Sequence, residues 1–552
     1  MKRLFRTTFS TLKDRVLTIR RLTETELEER LGRKIVGRDL SEILVFLMML
    51  VYIGVFSYFT ILKHLAFKSY AWDFGISIQA LSTTLNAGKL FYYTPELFVN
   101  QSGSYFGLHF SPIMFLLLPV YAVYQTPETL LVFQSFVVAL GALPLYYFTR
   151  HSLNSKLAAV SFSLLYLLYP PLQGANWFDF HVQTFLPLFM FSAMYYFEKE
   201  KWVKYFLFIF LALTIAESVS ITIIFVGLYG MLKFRRIFFD SLKQKTLLNK
   251  KLLIPLLTIM LALAWYLFSK WIKNTFFPIN PTFTDFYNRV DWWSVLGIRG
   301  DVIGMPLYVI LNPLRAIQAL TYDAYLKLLF VLLLIGSLLF LPLRSSIILI
   351  SLSWLVPALL SNYVPFYVTG VHYPLYLIPF IFLAAVDGMR KQYKAGKLTT
   401  FSGQIKNLLI VALIFMLFAS PLSPLLQTSG VNIPSFSTYT LPSVGDHEST
   451  LQSIIDLVPS NASILTQNNI FPHFAQRSNA YAYPLPDAFE FAPNNVTKYA
   501  DQLIMRSDYV LVDTKSDAET ANAILTRIWF TYTQTFKLQK YSDGIYLYVK
   551  KG

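Results

Sequence analysis

Apolar runs long enough to cross a bilayer recur along most of this chain, and no other feature limits its fold so strongly. A helix of about 20 mostly apolar residues spans the ~30 Å hydrocarbon core. One such run can be a buried helix of a soluble protein, but here they return from residue 44 to residue 426. The composition agrees. Of 552 residues, 55% are hydrophobic, 17% aromatic and only 14% charged, where soluble domains carry about 25% charged. The chain reads as a polytopic α-helical membrane protein.

The formal charge of +16 would suit nucleic acid, but in a membrane protein Lys and Arg collect on the cytoplasmic side. The excess is therefore read as topology, and no nucleic-acid partner is expected. There is no cysteine, which excludes disulfides, thiolate metal sites and a cysteine nucleophile. Residues 1–42 form a basic leader with Lys2, Arg3, Arg6, Arg20, Arg21, Arg33, Lys34 and Arg38. It reads as a cytoplasmic amphipathic segment, or as a plain N-inside signal.

Spans are expected near 44–62, 128–148, 157–172, 184–197, 205–215, 219–232, 252–268, 326–343, 347–360, 374–386 and 408–425, about eleven in all. The run 109–124 is short, holds Pro112 and Pro119, and is read as interfacial because charge then balances. Lys199, Lys201, Lys204, the run 233–251, Arg344, Arg390, Lys391, Lys394 and Lys397 fall inside; the outer loops 173–182 and 361–371 hold no Lys or Arg. The N-terminus is thus inside and the C-terminus outside. Residues 43–430 form the transmembrane domain, with an outer interfacial loop at 63–127, whose part 76–85 has helical spacing, and another outer loop at 270–325. Residues 431–552 have ordinary charge and read as a small extracytoplasmic α/β domain, with a helix near 449–457, strands near 462–466 and 509–512, and a turn at Asp543-Gly544 into a last strand. Sequons occur at Asn100, Asn461 and Asn495, all in segments placed outside.

Charged groups beside hydrocarbon are costly and need a reason. On the outer side these are Asp73, His109, Asp179, His181, Glu217 and His372, with Arg289, Arg299 and Arg315 in the later loop. Asp73 follows the first span; it suits a general base or a divalent-cation ligand, and equally an N-cap. His109 suits phosphate binding or proton donation, or simple interfacial packing. Asp179 and His181, two apart, share a strand face, as a metal pair or as a loop hydrogen-bond pair. Glu217 interrupts an apolar run with no Lys or Arg nearby in sequence. The arginines suit a lipid phosphate, or a solvated loop.

Several stretches resemble one family. They are Trp72-Asp73-Phe74-Gly75 with its continuation to residue 81, His109-Phe110-Ser111-Pro112, Gly141-Ala142-Leu143-Pro144, Asn176-Trp177-Phe178-Asp179-Phe180-His181, Gly370-Val371-His372-Tyr373 and Asp543-Gly544-Ile545. Together they resemble the prokaryotic membrane proteins of domain-of-unknown-function family 2079, from about residue 45 onward. That family is similar to the C-type glycosyltransferases, polytopic enzymes that use polyprenyl-phosphate sugars. The resemblance implies that Asp73 is the catalytic base or metal ligand, with Mg or Mn as the expected ion. It implies a phosphate role for His372-Tyr373. Where the resemblance leads one to expect Lys-Glu-Asp, this chain has Ala216-Glu217-Ser218.

The expected function is transfer of a sugar from a polyprenyl phosphate at the outer face of the cell membrane. Asp73 and Glu217 would be catalytic, and His109, Asp179, His181, Arg289, Arg299, His372 and Tyr373 would bind substrate and phosphate. A non-catalytic scaffold or receptor working through the outer domain is the alternative, and a transporter the third.

Overall fold

The structure is a computed structural model that describes residues 23–237, 250–287, 291–299, 304–428 and 434–551. Residues 1–22 of the leader, and Arg289, lie outside the described residues.

Helix α1 (Glu24–Leu31) starts with a capping box in which Thr23 and Glu26 exchange bonds. It leads through a two-residue ribbon into α2 (Leu40–Leu65). At 1.5 Å per residue, 26 residues make about 39 Å, enough to cross a membrane. An irregular turn, Ala71–Gly75, follows and runs into α3 (Ile76–Ala87). Next come α4 (Met114–Val123), α5 (Pro127–Leu140), α6 (Ala142–Leu153), α7 (Lys156–Leu167), α8 (Pro170–Trp177), α9 (Phe185–Glu198), α10 (Trp202–Leu213), α11 (Val219–Lys233) and α12 (Lys250–Phe276). The bundle closes with α13 (Met305–Leu311), α14 (Pro313–Thr321), α15 (Ala324–Ile335), α16 (Leu352–Leu360), α17 (Ile378–Lys394) and α18 (Ser402–Ala419).

Four of the described helices are long and apolar enough to cross a membrane: Leu40–Leu65, Pro127–Leu153, Lys250–Phe276 and Ser402–Gln427. Two bent pairs, Lys156–Leu167 with Pro170–Trp177 and Pro313–Thr321 with Ala324–Leu338, raise the number to six. The remaining expected spans appear as shorter pieces. Pro170, Pro374 and Pro379 each sit at the start of a helical segment, because proline removes a backbone donor. Broken backbone at membrane depth is tolerated where protein covers it, and the residues of α7 to α9 and α17 are mostly buried within the bundle. The run 109–124 contributes only the ten-residue α4, about 15 Å long.

After residue 433 the chain forms one mixed sheet of five strands: β1 (Ile464–Thr466), β2 (Ala480–Ala482), β3 (Tyr509–Asp513), β4 (Phe536–Ser542) and β5 (Ile545–Lys550), in the order β2-β1-β3-β5-β4. The β1–β2 and β1–β3 pairs are parallel; the β3–β5 and β4–β5 pairs are antiparallel. Helices α19 (Asp446–Ile455), α20 (Pro493–Arg506) and α21 (Ala518–Phe530) accompany it. Positive φ at Asp543 and Gly544 gives the β4–β5 hairpin a turn matched to strand twist. The edge strand β4 exposes Lys537 and Lys540, charges that discourage further pairing. Of the sequon asparagines, Asn461 and Asn495 are exposed. Asn100 is buried, with Nδ2 donating to Tyr93 Oη and Ser104 O.

Helix α3, expected as a helix within the outer loop, lies under the sheet domain, with Ile76 to Thr83 all buried. Gln79 Nε2 donates to Arg477 O (2.8 Å) and Ala480 O (3.2 Å), and Ser82 Oγ donates to Gln476 O (2.8 Å). Its polar side chains face protein carbonyls rather than headgroups. Because α1 adjoins the start of α2 while Asn469 bonds Phe67 O just past its end, α1 and the sheet domain lie at opposite ends of the bundle.

Candidate active site

Asp73 sits mid-turn in Ala71–Gly75, not at a helix start, and makes no capping bond. The N-cap reading therefore falls away: the backbone is already helical around it. His181 Nε2 donates to Asp73 Oδ1 at 2.9 Å, and His181 Nδ1 donates to Asp179 O at 2.8 Å. Both partners are acceptors, an arrangement that favours a ring protonated on both nitrogens. Burial alone would lower its pKa, but the charge and hydrogen bond of Asp73 outweigh burial and raise it. The Asp73 side chain is 36% exposed and that of His181 10%. Among the described residues Oδ2 of Asp73 has no partner.

His372 stacks on His181, centroids 3.9 Å apart and 18° from parallel. Burial first, and then the charges of His181 and His109, push its pKa well below the usual imidazole range, which favours a neutral ring. Its Nδ1 is buried without a hydrogen-bond partner among the described residues. Tyr373 stacks beside Trp354 (5.6 Å) and meets Phe366 edge-on (4.6 Å).

Asp179 is spoken for. It is 2% exposed and pairs with Lys63 Nζ at 3.0 Å, while Oδ2 accepts from Tyr70 N at 2.7 Å. It therefore fixes the start of the turn that carries Asp73. The other supports come from the sheet domain. Ala71 N donates to Asn468 Oδ1 (2.8 Å) and O (2.9 Å). Phe471 packs so close to Gly75 that a Cβ there would meet its ring at 2.6 Å.

Glu217 lies in the break 214–218 between α10 and α11. Lys273, from the last turn of α12, reaches its Oε1 at 2.7 Å, His109 Nδ1 lies 3.7 Å away, and Phe110 N donates to Oε2 at 3.0 Å. Burial favours the neutral acid, but Lys273 and His109 outweigh it and hold the carboxyl well below its usual range. Sequence reasoning missed Lys273, since 56 residues separate it from Glu217. It brings a cation to the motif whose expected lysine is Ala216.

The two clusters meet. The buried Tyr105 hydroxyl is pushed up first by burial and then by Asp73, Glu217, Tyr376 and Glu96, so it lies in electrostatic range of both acids. Tyr376 Oη and Ser218 Oγ share a bond of 2.9 Å. The structure thus gathers Asp73, His181, His372, His109 and Glu217 on the side that carries the sheet domain. Arg299 and Arg315 are exposed and join neither cluster through a described contact. Among the described residues no three His, Asp or Glu side chains converge as a metal cage.

A family model described as "Predicted membrane protein (DUF2079)" matches residues 63–547. The chain belongs to this family. No curated protein sequence matches this DUF2079 member. Among solved structures it is similar to the Archaeoglobus fulgidus oligosaccharyltransferase tethered to an acceptor peptide containing the NVT sequon. The identity is 12%, the match covers 91% of this chain and 74% of that one, and the TM-score is 0.37.

Proposed function

We propose that this protein is a membrane glycosyltransferase of the C type, moving a sugar from a polyprenyl-phosphate donor to an acceptor at the face that carries the sheet domain. The observation that carries the reading is the Asp73–His181 pair: a carboxylate 36% exposed, held at 2.9 Å by an imidazole whose pKa it raises, on an irregular turn just past a span-length helix. Oδ1 is oriented by His181, and Oδ2 is open to substrate. The acceptor O–H would lose its proton to Oδ2 as its oxygen bonds the anomeric carbon. The bond from that carbon to the phosphate oxygen breaks, and the phosphate leaves with the electron pair. Lys273, together with His181, whose pKa is raised, lends the surroundings positive charge, which favours an anionic leaving group.

Asp73 is also the residue that would hold a divalent ion, Mg or Mn, which would neutralise the phosphate. Such ions use one or two carboxylates with substrate phosphates rather than an all-protein cage, and a single open carboxylate suits that mode. The same reading takes the chain across the cell membrane eleven times, N-terminus cytoplasmic and sheet domain outside. Supporting it, Arg150, Lys156, Lys199, Lys233 and Arg390 gather at the α1 end of the bundle.

The test is transfer from a labelled lipid-linked sugar in vesicles. Asp73→Asn should lower the rate at least ~100-fold, the usual scale for a lost general base; unchanged transfer sinks the reading. Loss with EDTA and recovery with Mn would assign Asp73 to a metal, and indifference to EDTA would assign it to the proton.

A further inference from the structure

The segment between α12 and α15 was expected to be an outer loop. Its described part includes α13 and α14, whose outward surface is apolar. Ile310 is 74% and Leu314 76% exposed, and Leu307, Leu311, Ile317 and Leu320 are exposed too. On α14 three stripes separate at helical spacing. Ala316 and Ala319 are buried, and α14 packs on α16. Leu314, Ile317 and Leu320 form an exposed apolar stripe, and Arg315 and Gln318 an exposed polar one.

The angle to the next helix is fixed as well. The α14 axis is bent 76° from that of the apolar segment Ala324–Leu338. The elbow is held by Lys327 Nζ, which donates to Ala319 O at 2.7 Å, and by Tyr367 Oη, which donates to Asp323 Oδ2 at 2.8 Å. If α15 crosses the membrane near its normal, α14 lies nearly in the membrane plane. We propose that α13 and α14 form an interfacial element seated in the leaflet on the sheet-domain side, with lipid as its partner. Leu314 and Ile317 enter the acyl boundary, and Arg315 meets headgroup phosphates. Helices of this pattern bury their apolar face about 5–10 Å deep. The apolar surface is continuous with the lipid-facing side of α15, where Tyr325 and Leu328 are exposed. The inference needs only the membrane fold, not the transferase reading.

The absence of cysteine makes the test direct. Single variants Ile310→Cys, Leu314→Cys, Ile317→Cys and Gln318→Cys are spin-labelled in the full chain, in phosphatidylcholine–phosphatidylglycerol vesicles. Leu328→Cys serves as the hydrocarbon reference and Ser453→Cys as the aqueous one. At 310, 314 and 317 oxygen should collide more readily than a soluble nickel chelate, less strongly than at 328, while 318 should shift toward nickel. Nickel access at 314 and 317 equal to that at 453 overturns the proposal. Shielding from both reagents also overturns it, since a second copy of the chain would then cover the face.

Discussion

At the scale of single residues, the polar groups divide into those that face outward and those that hold others in place. Lys63 and Asp179 belong to the second kind. Their side chains are 9% and 2% exposed, so each charge depends on the other. Removing one leaves a buried charge unpaired, which costs about 3–5 kcal/mol. Lys63→Met should therefore destabilise the detergent-solubilised protein by that amount in thermal unfolding. Lys63→Met with Asp179→Leu should recover much of it, because an apolar pair leaves no uncompensated charge. A single variant as stable as the parent would mean that water reaches Asp179. Sequence spacing put Asp179 and His181 on one strand face, but the segment forms no strand and the Asp179 carboxylate turns to Lys63 instead. The partner that commits Asp179 is 116 residues away, and pairing over that distance leaves no periodic trace.

At the scale of elements, the turn Ala71–Gly75 depends on two domains at once. Gly75→Val should clash with Phe471, whose ring would lie 2.6 Å from the new Cβ. Overpacking of this kind costs about 1–3 kcal/mol, and Phe471→Leu in the same chain should relieve part of it; additive losses would argue against the contact. A second device latches the hairpin of the sheet domain. His447, in the first turn of α19, sends Nδ1 to Asp543 Oδ2 (2.7 Å) and Nε2 to Asp513 Oδ2 (2.9 Å). Burial opposes the charged ring, but the two carboxylates outweigh it and raise the His447 pKa above 6.5. A raised imidazole contributes its full stability below the unfolded value and loses it as pH climbs through the folded one. Unfolding of the sheet domain should thus shift to lower temperature as pH rises from about 6 into the alkaline range. His447→Gln should flatten that slope, and an unchanged slope would put its origin elsewhere. Helix α1 acts at the other end of the bundle. Glu28 accepts from Lys156 N (2.8 Å) and Leu157 N (3.0 Å) at the start of α7, and Glu24 accepts from Ser402 N (2.9 Å) at the start of α18. Alanine at either position should cost about 1 kcal/mol, as for a lost helix cap, measured as a lower midpoint in heat or denaturant.

At the scale of the whole molecule, run length was enough to find a helical segment at each expected span, because apolar length is a local property. Helix ends differ, as in α12, which runs on to Phe276, and α13, α14, α20 and α21 were not foreseen. The strands near 462–466 and 509–512 and the last hairpin were legible for the same reason. What was not legible is the seam between the domains. The sheet domain touches the bundle through Asn468, Asn469, Phe471, Arg477 and Ala480, against Ala71, Phe67, Gly75 and Gln79. Nothing in either stretch alone announces the other. The main core also runs without a break from α2 into residues of β1 and β2. This bears on the receptor alternative, in which the outer domain is a separable binding module. A chain stopped at residue 428 would uncover α3, whose buried face includes Gln79, Ser82 and Thr83, and would leave the Asp73 turn without Asn468 and Phe471. The truncated protein should therefore unfold at a clearly lower temperature than the full chain in the same detergent. Amide exchange should rise across residues 70–87 and stay unchanged in α18 near Glu24. A truncated bundle with the parent's unfolding temperature and protected amides at 70–87 would make the sheet domain an appendage, and would move the weight of the functional argument back to the receptor.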